Sequence, residues 1–340
     1  MSRVRIGVVG AGNWGRNHIR SVAGLAEATL SAVCDSDAKR LEAIGRQYPS
    51  AHLTDSVDGL VERSDAVVVA TSAASHAEVA ERVINRGLPV LVEKPFTLST
   101  ASARALVTLA ETKGVPVVVG HLLVFHPAVE RLQQMIHGGE LGDVYYTYSQ
   151  RVNLGQVRPD ENALWSFGPH DISVALLLLG QPPVAVAARG RSYLQPGIED
   201  VVFLTMEFAS GALAHVQMSW LDPHKERRLT VVGSKRMVVF DDMQPREKLK
   251  VFDKGVDRPP EYWSFGESLA VREGDIFIPR ISNVEPLLAE LRHFVAVAQG
   301  REVPRVTALD GLRVVEALEA ASRSLEGDGR AVPISDVGQQ

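Results

Sequence analysis

Val4-Arg5-Ile6-Gly7-Val8-Val9-Gly10-Ala11-Gly12-Asn13-Trp14-Gly15 is an apolar run that breaks into a glycine-rich segment, and its reading decides the fold. Residues 4–9 have the continuous apolar character of a strand covered on both faces. The segment GAGNWG, from Gly10 to Gly15, then reads as a tight turn opening a helix. About twenty residues later a second apolar run, residues 30–33, ends at Cys34-Asp35. Glycines alone say little, since turns of many kinds use them. Strand, glycines, helix, strand and acid in this order are specific.

Each part of the pattern has a physical task. Gly10 permits the turn, Gly12 lets backbone N–H groups approach a pyrophosphate, and Gly15 lets the helix pack closely on the strand. The helix N-terminus then faces the phosphates. Asp35 is placed to accept hydrogen bonds from ribose hydroxyls, and its charge repels a 2′-phosphate, so NAD is expected rather than NADP. The plainer alternative, Asp35 as a simple N-cap of the next helix, leaves the spacing unexplained.

The chain has 340 residues, which suits two domains. With 45% hydrophobic and 23% charged residues it has an ordinary globular composition. A net charge of −5 provides no basic field for nucleic acid or an anionic membrane. Cys34 is the only cysteine, so no internal disulfide forms and a reducing compartment is expected. The start shows no signal-peptide pattern, and no apolar run reaches the ~18 residues of a membrane span. The expectation is a cytoplasmic protein.

Strand-like runs at 4–9, 30–33, 66–70, 89–92 and 116–119 alternate with helical periodicity at 17–26, 38–48, 56–63, 76–86 and 99–112. This is a doubly wound parallel sheet of the Rossmann type over residues 1–120. Residues 121–340 read as a second α/β domain with a large, open, mostly antiparallel sheet. A helix at 127–137 precedes strands at 144–154, 184–194, 200–208, 212–221, 227–233, 236–241 and 249–253, with an apolar helix at 171–179 among them. Amphipathic helices at 284–298 and 308–325 follow, the second with Thr307 and Asp310 spaced as a capping box. These last helices can pack back on the first domain. Residues 201–206 are apolar or nearly so on both faces of their strand, which points to a homo-oligomer, dimer or tetramer, covering the outer face.

Two residues are placed for chemistry. Lys94, in Glu93-Lys94-Pro95, follows the fourth strand at the carboxyl edge of the parallel sheet, where open α/β folds bind ligands. It can hold a substrate oxygen as alkoxide character develops; a solvated surface lysine is the plain alternative. His170, in Gly168-Pro169-His170-Asp171, stands where a helix is expected to open. The positive dipole end there favours the neutral imidazole, suited to accept a proton; a structural hydrogen bond is the plain alternative, and the commoner one for an isolated histidine. His121 and His126 have no acidic or cysteine partner at ligand spacing, and no metal site is expected.

GAGNWG, Asp35, Ala70-Thr71-Ser72 with His76, Glu93-Lys94-Pro95 and the Gly-Pro-His ending at His170 together resemble the Gfo/Idh/MocA oxidoreductase family, over nearly the whole chain. The resemblance implies hydride transfer between NAD(P) and a sugar or cyclitol carbon, with Lys94 and His170 as the catalytic pair. It implies a cofactor lined by Gly10, Gly12, Asn13, Trp14, Gly15, Asp35, Thr71, Ser72, His76, Glu93 and Lys94. Many members carry an aspartate four residues before the histidine; here that position is Ser166, and Asp171 is the nearest acid. The stretch from Asn153 to Asp171 is similar to a branch that oxidises C3 of UDP-N-acetylglucosaminuronic acid for surface polysaccharides. By that likeness Arg158 and Asn162, with Lys94 and His170, contact a nucleotide-sugar substrate. An inositol or free-sugar dehydrogenase, and an NAD(H)-binding sensor without turnover, are the alternatives.

Overall fold

A computed structural model describes residues 3–155, 157–257 and 270–334. They form two compact units, Met1–Phe125 with Val284–Glu316, and His126–Asn283 with Ala317–Gln340. The division is therefore not into two contiguous stretches, since residues 284–316 belong with the N-terminal unit.

The first unit is built from β1 (Val4–Val9), α1 (Asn13–Ala23), β2 (Ala28–Cys34), α2 (Ala38–Gln47), β3 (His52–Thr54) and α3 (Val57–Val61). These are followed by β4 (Ala66–Val69), α4 (Ala73–Asn85), β5 (Val90–Glu93), α5 (Thr100–Lys113) and β6 (Val117–Gly120). The six parallel strands lie in the order β3-β2-β1-β4-β5-β6, so the order reverses between β1 and β4 and opens a crevice at their carboxyl ends. Val8, Val68, Leu91 and Val118 are fully buried, as strands covered on both faces require. Two features differ from the sequence expectation. β3 is three residues long, too short to show a period, and α1 begins at Asn13 rather than residue 17 because Gly12 itself is the N-cap.

In the second unit α6 (Pro127–His137), β7 (Val144–Val152) and α7 (Ala163–Leu179) precede β8 (Pro183–Arg191), β9 (Val201–Phe208), β10 (Leu213–Ser219) and β11 (Glu226–Gly233). β12 (Met237–Asp241), β13 (Leu249–Asp257) and β14 (Ala270–Phe277) complete the run. After α8 (Pro286–Ala298) come α9 (Ala308–Glu326) and β15 (Val332–Pro333). Nine strands pair in the order β14-β13-β12-β11-β7-β10-β9-β8-β15, antiparallel except for the parallel pair β7–β10. Thr307 and Asp310 form the expected reciprocal cap of α9, with Thr307 N donating to Asp310 at 2.8 Å and Asp310 N to Thr307 Oγ1 at 3.2 Å.

α7 packs on β7, β9 and β10, and Val202, Leu204 and Met206 of β9 are fully buried. The opposite face of these strands leaves Tyr146, Tyr148, Phe203 and Leu213 exposed. Among the described residues no helix is long and apolar enough to cross a membrane.

Candidate active site

Three glycines shape the turn after β1. Gly10 has φ +99°, and a Cβ there would meet the Ala70 carbonyl oxygen at 2.5 Å. A Cβ on Gly15 would lie 2.0 Å from the Gly10 carbonyl oxygen, so α1 sits directly against the turn. Gly12 is different: only an Arg40 guanidinium nitrogen, at 3.8 Å, is near the place a Cβ would take. Gly12 caps α1 with no side-chain hydrogen bond, leaving the first-turn amides of Asn13, Trp14 and Gly15 to face an anion. An open glycine beside uncapped amides fits a dinucleotide pyrophosphate.

Asp35 is nearly buried and ties this turn to the end of β2. Its Oδ2 accepts from Ala11 N at 2.6 Å and its Oδ1 from Asp37 N at 2.8 Å, with an Arg40 nitrogen 3.6 Å away. Asp37, not Asp35, caps α2, accepting from Lys39 N at 2.9 Å. Asp35 is thereby free of the simpler capping role.

Across the reversal, Thr71 and Ser72 follow β4, and Ser72 caps α4 without a side-chain hydrogen bond. His76 is buried and turned inward. Its Nδ1 donates to the Pro95 carbonyl at 2.8 Å, Nε2 is 3.3 Å from the Thr71 carbonyl, and burial holds the imidazole below its ordinary pKa. This histidine fixes the two loops that flank the crevice, a positioning task that its expected place in the cofactor lining did not specify.

Glu93 ends β5 beneath α1. One carboxylate oxygen accepts from the Trp14 indole and from His18 Nε2, the latter at 2.6 Å, and the other from Lys94 N at 3.1 Å. Burial alone would raise this carboxyl, but the hydrogen bond and charge of His18, then Trp14 and Lys94, carry it below the usual range. Lys94 follows at the strand's carboxyl edge, half-buried, joined to Pro95 by a cis peptide bond. His121, after β6, is fully buried, and burial pushes it down to about 4 against the pull of Asp310 and Glu93. Sequence reasoning missed His18 and Glu290, which lie with Glu93 in one buried cluster.

In the second unit α7 corrects a sequence expectation. It starts at Ala163, not at Asp171, so His170 stands well inside the helix and the dipole argument for its neutral form fails. Pro169 lies within the helix and, having no N–H, removes one rung of its ladder. The helix instead puts Ser166 and His170 one turn apart on one face. Asp171 is paired with Arg151, Nε to Oδ2 2.5 Å, so it is not oriented as the acid missing at Ser166.

Arg158 is half-exposed and pairs with Glu161 at 2.8 Å. Asn162, expected to touch substrate, has both ends of its amide engaged within the protein. Its oxygen caps α7 by accepting from Trp165 N at 3.1 Å, and its nitrogen donates to Glu199 at 2.6 Å. His126 has an acidic partner after all: Asp242 lies 3.5 Å from its Nε2, a contact that the 115 intervening positions hid from any spacing rule.

A glycine cradle at a strand-order reversal, an acid at the end of β2 and a lysine on the same sheet edge define a dinucleotide-dependent oxidoreductase. The chain belongs to the Gfo/Idh/MocA family: residues 4–121 match its oxidoreductase domain with an NAD-binding Rossmann fold, and residues 129–239 match its C-terminal domain. The chain is similar to the UDP-N-acetylglucosamine 3-dehydrogenase of Acidithiobacillus ferrooxidans, 28% identical over 76% of this chain and 80% of that one. A solved structure of that enzyme superposes with a TM-score of 0.81 over 96% of this chain and 99% of its own. It is equally similar, at 28% identity over 95% of this chain and 97% of the other, to the inositol 2-dehydrogenase of Rhizobium meliloti. GenD2 from gentamicin A biosynthesis, solved in complex with NAD, is 28% identical with a TM-score of 0.81, over 98% of this chain and 97% of its own. The protein is an NAD-dependent oxidoreductase acting on CH–OH groups.

Proposed function

We propose that the substrate is a nucleotide sugar and that the reaction oxidises a ring hydroxyl to a ketone, at C3 of UDP-N-acetylglucosaminuronic acid. The likeness to a UDP-N-acetylglucosamine 3-dehydrogenase carries this reading. Arg158 supports it, since a half-exposed guanidinium offers a planar fork to a carboxylate or diphosphate. Asn162 serves by fixing the loop that carries Arg158.

In this reading Lys94 donates to the C3 oxygen and stabilises it as alkoxide character grows, while His170 accepts the hydroxyl proton. NAD, which the α1 amides beside Gly12 and the Asp35 carboxylate would hold, would supply the two-electron acceptor for the hydride; the hydroxyl proton goes to the His170 imidazole and a C=O bond remains. No carboxylate at position 166 supports the imidazolium. The chain works in the cytoplasm as a homo-oligomer, its Tyr146, Tyr148 and Phe203 sheet face covered by a second copy.

The near full-length likeness to an inositol 2-dehydrogenase favours a second reading, a free cyclitol or sugar as substrate. NADH absorbance with UDP-N-acetylglucosaminuronic acid, UDP-N-acetylglucosamine, myo-inositol and free hexoses separates them. The uronic acid nucleotide should give the highest kcat/KM, about 100-fold or more above myo-inositol, a difference of roughly 2.7 kcal/mol in transition-state binding. A preference for myo-inositol would overturn the nucleotide-sugar assignment, and NAD binding without turnover on any sugar would point to a sensor.

A further inference from the structure

α8 buries Leu287, Leu291 and Phe294 along one stripe, and Glu290 occupies the same stripe with 0% exposure. Neither of its carboxyl oxygens has a hydrogen-bond partner. It faces His18 from α1 and Glu93 from β5, the polar atoms of the three lying within 4.8 Å of one another. Lys94 adjoins Glu93, and His121 is a further ionisable group within reach of Glu93 and Lys94, with Asp310 acting on His121 in turn.

Two carboxyls this close and this deeply buried do not both ionise. The hydrogen bonds decide which one keeps its charge. Glu93 accepts from the Trp14 indole, His18 Nε2 and Lys94 N, whereas Glu290 accepts from none. We propose that Glu290 is a positioning residue, held as a neutral carboxylic acid, so that Glu93 remains the one ionised carboxyl of the cluster and keeps the Lys94 backbone in place. Burial, then the charge of Glu93, raises the Glu290 carboxyl well above its ordinary range, in agreement with this assignment.

A divalent cation is the rival occupant, because the same three side chains offer ligand atoms. The His18–Glu93 separation of 2.6 Å argues for a proton: it is a hydrogen-bond distance, whereas two ligands ~2.05 Å from one tetrahedral ion stand about 3.3 Å apart.

The consequence for turnover rests on the assignment of Lys94 above; the protonation state does not. Infrared spectra of the wild-type protein at pH 8 should show the C=O absorption of a protonated carboxyl, shifted in D₂O and absent from Glu290→Gln. Because the folded carboxyl is raised, its stabilising contribution is full below the unfolded glutamate pKa of ~4.3 and declines as pH rises toward the folded value. Above about pH 5 the unfolding constant of wild type should therefore grow tenfold per pH unit relative to Glu290→Gln. Glu290→Gln should keep kcat and NAD affinity within about twofold, since the amide is likewise neutral.

A wild-type spectrum without the protonated band overturns the proposal even if the variant does not fold. So does a stability difference that is constant with pH, the mark of packing alone, or one equivalent of bound metal in the purified protein. Failure of the dehydrogenase reading looks different: no sugar is turned over, while the infrared band persists.

Discussion

Asp35 bonds Ala11 N and Asp37 N at the mouth of the glycine turn, with Arg40 3.6 Å away. Asp35→Ser should weaken NAD and leave Arg40 able to meet a 2′-phosphate. The ratio of kcat/KM for NADP to that for NAD is expected to rise about tenfold or more, the scale of one charge-assisted hydrogen bond. An unchanged ratio would remove Asp35 from cofactor choice. At this scale the sequence was legible where a residue type answers a local backbone demand. Gly10 and Gly15 stand where any Cβ collides with backbone, and their spacing announced it. The partners of Glu93 were hidden because they come from 75 residues earlier in α1 and from α8 near the other end of the chain. One signal for Glu290 was present all the same, an acid in register with Leu287, Leu291 and Phe294 on an apolar helical stripe.

For whole elements the instructive case is α7. The apolar run after residue 171 is a strong helical signal, and Gly168-Pro169 before it reads as a break, so the sequence pattern alone places the start eight residues late. Tertiary packing overrides that local punctuation. Gly168 lies against Leu318, Leu164 and Met218, where a larger residue would crowd, and the Trp165 indole is tied to Ser322 at 3.1 Å. The true start is set by Asn162. Asn162→Ala should cost about 1 kcal/mol in urea unfolding by removing the cap, and Asn162→Ser should restore most of it. A rise in sugar KM with no loss of stability would instead return Asn162 to direct substrate contact.

For the whole molecule, the class of each sheet was readable from its period: continuous β-branched runs for the parallel sheet, alternation for the larger one. The sequence left open whether the last helices pack back on the first domain, because amphipathic periodicity reports which face of a helix is buried and not against what; residues 284–316 do join the first unit. β9 shows the same ambiguity, with Leu204 fully buried and the neighbouring Phe203 44% exposed. Phe203 stacks on His215 at 6.4 Å, and Tyr146 on Tyr148 at 6.3 Å, forming an aromatic face on the outer side of the sheet. If a second copy covers this face, Tyr148→Glu with Phe203→Glu should shift the mass by light scattering from oligomer to monomer at micromolar concentration. A wild-type protein that is already monomeric would contradict the oligomer.

We propose that Lys94 and His170 act on the same substrate hydroxyl as hydride leaves. The measurement is stopped-flow NADH formation with saturating UDP-N-acetylglucosaminuronic acid, beside NAD titrations of the same proteins. Lys94→Ala and His170→Ala should each slow the first turnover by about 10²–10⁴-fold while NAD affinity stays within about threefold. A first turnover within a few-fold of wild type in either variant would contradict the claim.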